Sequence, residues 1–112
     1  MLAPESRIQI EEELQRAEKA RNECNEGRTR VCARRAAGVA LRDTLRQAGA
    51  ARIPTSAIDL LHEARGLPGL TERAREAVER LLQKVDEGFN LPQSWDLIAE
   101  ARILIAELDQ AA

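Results

Sequence analysis

The stretch Val31-Cys32-Ala33-Arg34-Arg35-Ala36-Ala37-Gly38-Val39-Ala40-Leu41-Arg42-Asp43-Thr44-Leu45 decides how this chain folds. Its apolar residues recur three and four apart, the helical spacing, and nothing in it alternates with the period of two that a strand requires. The apolar arc is broad, so this helix is expected to be central and to touch neighbours on several sides. It reads as running from about Arg28 to Ala48, with Gly49 stopping it in the left-handed region. Gly38 interrupts it at a cost of about 1 kcal/mol relative to alanine. Two readings of Gly38 stay open: close approach by a neighbouring helix, or a tolerated weak point.

On its N-terminal side a first helix is expected from about Glu5 to Glu26, with Ile10, Leu14, Ala17 and Cys24 on the inner stripe, Arg21 interrupting it and Gly27 ending it. On the other side a loop, Ala50 to Pro54, leads to a short third helix starting near Ser56. Asp59 stands three residues later, as in a capping box, and Ala57, Leu60, Leu61 and Ala64 form the apolar face. Gly66-Leu67-Pro68-Gly69 is a break. Thr71 then caps a fourth helix reaching about Glu87, whose stripe is Ala74, Ala77, Val78, Leu81, Leu82 and Val85. Gly88 to Gln93, containing Pro92, is a loop. Ser94 is expected to cap a last helix that buries Leu97, Ile98, Ala101, Leu104, Ile105 and Leu108. Short loops favour antiparallel neighbours, so the fold class is all-α: one domain over residues 1–112, an antiparallel bundle of four to five helices.

Alanine and leucine dominate the core, and Phe89 and Trp95 are the only aromatics. Alanine-rich helices form readily but supply little apolar area each, so burying further surface in a homodimer is expected. The net charge of -2 argues against a dedicated nucleic-acid binder. No apolar run approaches the roughly 20 residues of a membrane span. Met1-Leu2-Ala3-Pro4-Glu5 carries neither a basic region nor an apolar signal stretch, so a cytoplasmic location is expected. Cys24 and Cys32 fall on helical segments and read as buried thiols rather than a disulfide or metal pair.

No catalytic constellation emerges. His62 is the only histidine; Glu63 follows it, but Gly66 stands where a zinc-protease motif needs its second histidine. It reads as a helix-surface or boundary residue. There is no phosphate-binding glycine motif, and no cofactor or metal site is expected. The Glu11-Glu12-Glu13 run lies early in the first helix, where negative charge suits the helix dipole.

The distribution of charge says more than its sum. Residues 28–52 hold seven arginines and one acid, Asp43, for a charge of +6; residues 1–27 carry -3 and residues 53–112 carry -5. Arg28, Arg35, Arg42 and Arg46 share one face of the central helix. Three explanations stay open: pairing with the chain's own acidic helices, contact with an acidic partner surface, or phosphate binding from RNA or a nucleotide, for which the planar guanidinium fork is suited. Val39 lies at the edge of this stripe, which makes it and Gly38 the candidate packing or interface positions.

The stretch Val31 to Leu45 resembles the central helix of HEPN (higher eukaryotes and prokaryotes nucleotide-binding) domains, with small residues followed by basic and apolar positions. A loop and an Asp-Leu helix start follow in that family; Gly49 and Asp59-Leu60-Leu61 fit that order. The last helix, with Ala99, Ala101 and Ile105, is similar to the family's closing helix, so the resemblance spans roughly residues 10–110. It implies a helical bundle that pairs as a homodimer, often beside a nucleotidyltransferase. RNase members carry Arg and His four to six residues apart near the start of the last helix. Here that stretch is Phe89-Asn90-Leu91-Pro92-Gln93-Ser94-Trp95, without either. Gly38 also replaces the family's usual Glu, and Ile58 its common His.

The function expected from all this is a non-catalytic HEPN-like interaction module, a homodimer acting as helper of another protein. The alternatives are an RNA- or nucleotide-binding domain using the arginine face, and an enzyme, either a nuclease or a subunit completing a partner's site.

Overall fold

Helix breakers and caps divide the described residues, 1–83 and 95–111, into five helices in a computed structural model. They are α1 (Pro4–Asn22), α2 (Glu26–Gln47), α3 (Ala57–Ala64), α4 (Glu72–Leu82) and α5 (Leu97–Ala111). No strand occurs among the described residues. The fold is an all-α helical bundle, and α2 packs against each of the other four helices.

That centrality follows from the composition of α2. Cys32, Ala33, Ala36, Ala37, Ala40 and Leu41 are all buried, and small side chains let several helices approach one axis. Leu14 and Ala17 of α1, Leu60 and Leu61 of α3, Val78 and Leu81 of α4, and Leu104 of α5 close around it in one continuous core. Gly38 sits where α2 meets the first turn of α3. A Cβ there would stand 3.2 Å from Ala57 Cβ and 3.3 Å from Ala57 Cα.

The turn between α1 and α2 lies earlier than the glycine at 27 suggests. Cys24 takes φ 59°, the left-handed conformation. Its N–H donates to Arg21 O at 2.9 Å, and that of Asn25 donates to Ala20 O at 2.8 Å, the paired bonds of a Schellman stop. Asn25 at once caps α2, its side chain accepting the Arg28 N–H at 3.1 Å. Gly27 therefore lies inside the first turn of α2, and Cys24 is exposed rather than a buried stripe residue. Only Cys32 is a buried thiol. Gly49, at φ 76°, ends α2 through the same pair of bonds, from Gly49 to Arg46 O and from Ala50 to Leu45 O.

Ser56 and Thr71 cap α3 and α4, accepting from Asp59 N–H at 3.0 Å and Ala74 N–H at 3.1 Å. α4 stops at Leu82, short of Glu87. Arg34 of α2 lays its guanidinium across the end of that helix, donating to Leu81 O at 2.6 Å and Gln83 O at 2.9 Å, and Gln83 turns to extended backbone. At the start of α5 the cap is Asp96, whose Oδ1 accepts Ala99 N–H at 3.1 Å. The expectations for Val85, the Gly88–Gln93 loop with Pro92, and a Ser94 cap lie outside the described residues. On α5, Ile105 is half-buried, and the other five expected core residues are buried.

Met1–Ala3 is held before α1 begins. Leu2 is buried, its N–H donating to Asp109 of α5 at 2.8 Å, and the Ala3 N–H donates to Asp43 of α2 at 2.7 Å. Ala3 has no capping side chain, so the Asp43 carboxylate supplies negative charge at the α1 N-terminus from another helix.

Candidate functional site

α1 and α2 form a hairpin whose outer face, together with the start of α3, encloses a groove of 680 Å³. The α2 wall brings Arg35 and Arg42 to it, and α1 contributes Glu12, Glu13 and Arg16. Val31, Gly38, Val39, Ala57 and Ile58 make its apolar part. Val31 and Ile58 keep 42% and 39% of their surface exposed and stand together on the groove lining. Beyond Arg35 the groove continues into a hollow of 500 Å³ lined by Arg16, Gly27, Arg28, Val31, Cys32 and Arg35, with no carboxylate in its lining.

The four arginines of the sequence stripe are thus divided. Arg35 and Arg42 line the groove, Arg28 and Arg35 the hollow, and Arg46 is exposed and lines neither. Arg42 is half-buried because it donates to Thr55 O at 3.1 Å across the groove. Gly38 and Val39 lie between them, the first buried against α3 and the second half-buried.

The electrostatics of the two halves of the molecule differ. Arg7, Arg16, Arg21, Arg65, Arg73, Arg80 and Arg102 each have a carboxylate within ion-pair distance. Among the described residues, no carboxylate lies within 4.0 Å of Arg28, Arg35, Arg42 or Arg46. Burial and the nearby Arg30 charge push Arg34 below the usual guanidinium range, in keeping with its use as a cap on α4.

Charged clusters elsewhere hold helices together. Glu100, 5% exposed, accepts two bonds from Arg73 and one from Arg80, and the Arg80 guanidinium stacks 3.8 Å from the centre of the Trp95 ring. Those bonds, Arg73 first, hold its carboxyl below the usual range against the opposing effect of burial. His62 is exposed near the end of α3, with Arg65 Nη1 3.2 Å from its Nδ1 and Arg65 bound in turn to Glu79 at 2.7 and 2.8 Å. No group of three or more potential metal ligands occurs among the described residues.

The arginine stripe was legible from sequence, while Glu12, Arg16 and Ile58 as groove residues were not. Ile58 carried a usable signal, a β-branched residue off the apolar face of its short helix. No protein-family model, curated protein or solved structure matches this chain.

Proposed function

We propose that this chain is a non-catalytic interaction module, HEPN-like in kind, that pairs with itself and serves as helper of another protein. The partner implied by the resemblance is a nucleotidyltransferase. The observation that carries the reading is the set of guanidinium groups on α2 without acids of their own. Surface pairs contribute only about 0–1 kcal/mol each, so stability alone gives little reason to gather such charge on one helix. An anionic surface docking there gains steering and orientation from it. The exposed Val31 and Ile58 beside Arg35 and Arg42 favour a protein surface, with apolar centre and charged rim, over a bare phosphate backbone.

The test is capture of bound protein and nucleic acid by wild type and by Arg35→Gln/Arg42→Gln, across a salt series. A protein retained by wild type at low salt and lost by the folded variant supports the reading. Identical retention by the two proteins overturns it.

A second reading, phosphate binding from RNA or a nucleotide, is favoured by the hollow of Arg16, Arg28 and Arg35, whose lining has no carboxylate. Binding to RNA that weakens steeply with salt, and less steeply in Arg28→Gln/Arg35→Gln, would select it.

A further inference from the structure

The groove leaves open what fills it, and the molecule carries a matching surface on its own first helix. Glu5, Ile8 and Glu12 form an exposed stripe on α1, and Ile8 keeps 61% of its surface exposed. Among the described residues neither glutamate has a cation within 4.0 Å. The steps along this stripe are three residues and then four. On α2 the stripe Arg42, Val39, Arg35, read backwards along the chain, has the same steps with opposite charge at both ends. Two helices lying antiparallel set such stripes against each other, residue for residue.

The levels of the helices make the match reciprocal. α1 and α2 run antiparallel, with Ala3 bound to Asp43 at one end and Arg16 sharing a hollow with Val31 toward the other. Glu12 therefore stands level with Arg35, Ile8 with Val39, and Glu5 with Arg42. Within one molecule these groups lie on separate helices of the hairpin face without pairing. A two-fold axis parallel to the hairpin exchanges α1 and α2 while keeping every level. Resting on the interaction-module reading, we propose that the groove face receives a second copy of this chain, with Glu5, Ile8 and Glu12 of each copy seated on Arg42, Val39 and Arg35 of the other. The contact is isologous, so each pair forms twice. The same register places Lys19 opposite Arg28, like charges that limit the close contact to the Glu5–Glu12 part of α1.

Charge exchange tests it. Glu5→Arg/Glu12→Arg and Arg35→Glu/Arg42→Glu should each run at the 12.4 kDa of one chain in light scattering at micromolar concentration, where wild type runs at twice that mass. An equimolar mixture of the two variants should recover the doubled mass, with association at least tenfold weaker in either variant alone than in the mixture. A monomeric wild type, or dimers that survive both reversals, would sink the proposal. A second measurement avoids dependence on charge: mix Ile8→Cys protein with Val39→Cys protein, both in a Cys24→Gly background. Mild oxidation should give a mixed disulfide dimer much faster than either protein alone, and equal rates would count against it. Wild type that is monomeric yet captures a partner through Arg35 and Arg42 removes the self-pairing, here and in the proposed function alike, and leaves only the docking of another protein standing.

Discussion

Arg73 holds Glu100 in a two-pronged grip, Nη1 to Oε1 at 2.9 Å and Nη2 to Oε2 at 2.6 Å, and thereby fixes the crossing of α4 over α5. Glu100 is almost fully covered, so removing its charge strands two guanidinium groups on one side of a buried amide. Glu100→Gln should lower the unfolding free energy by about 1–3 kcal/mol at neutral pH. The folded carboxyl titrates below the ordinary value of 4.5. A depressed value stabilises the fold above that pH, and the contribution is lost as pH falls through the lower folded value. The gap between wild type and variant in denaturant melts should therefore narrow below the ordinary carboxyl range. A gap independent of pH would refute the assignment.

Asp43 offers a parallel case with a different cause. Burial raises its carboxyl, but the Ala3 N–H, the Gln47 amide, Ser6 and the Arg46 charge together leave it below the ordinary 3.8. Asp43→Ala removes a helix cap and leaves the Ala3 N–H without its acceptor. A loss of about 2 kcal/mol is expected, in the range of N-cap deletions and stranded buried donors. Thermal unfolding followed by circular dichroism would measure it, and a variant as stable as wild type would show that the contact is incidental.

Cys24 adopts a backbone conformation that costs an L residue about 1–2 kcal/mol and glycine almost nothing. Because its side chain is exposed, Cys24→Gly forfeits no packing. The substitution should raise the unfolding free energy by about 1 kcal/mol. A lower melting temperature for the glycine variant would show that the thiol makes a contribution its exposure conceals.

At Gly38 the contact with Ala57 leaves no room for a branched side chain. Gly38→Val should cost about 1–3 kcal/mol through overpacking against the start of α3, despite the gain in helix propensity. Stability equal to wild type would mean that α3 shifts freely.

The fold was readable because its information is local. The periodic stripes of α2, α4 and α5, and the caps Ser56 and Thr71, depend on residues within one turn of each other. The errors arose where distant groups intervened. Arg34 meets the end of α4 from another helix, which leaves no mark near that terminus; the start of α1 was read to within one residue even though Asp43, across the hairpin, supplies its charge. The turn at Cys24 was missed because a non-glycine residue took the left-handed position while a glycine stood three residues on. The α2 half of the groove was visible as a run of arginines. Its α1 half was hidden, since Glu12 within an acidic run reads as an ordinary solvated face until the hairpin sets it level with Arg35.

The bond from the Leu2 N–H to Asp109 joins positions 107 residues apart. Closing a loop of that length costs conformational entropy that the contacts of the assembled bundle must offset, so the bond at the start of α1 depends on the bundle as a whole. Terminal amides usually exchange with solvent by local fraying. Those of Leu2 and Ala3 are instead tied to α5 and α2, so their deuterium uptake should slow to follow opening of the bundle as a whole. The least protected stretch in an ordinary helical protein becomes, in this one, a gauge of its global stability.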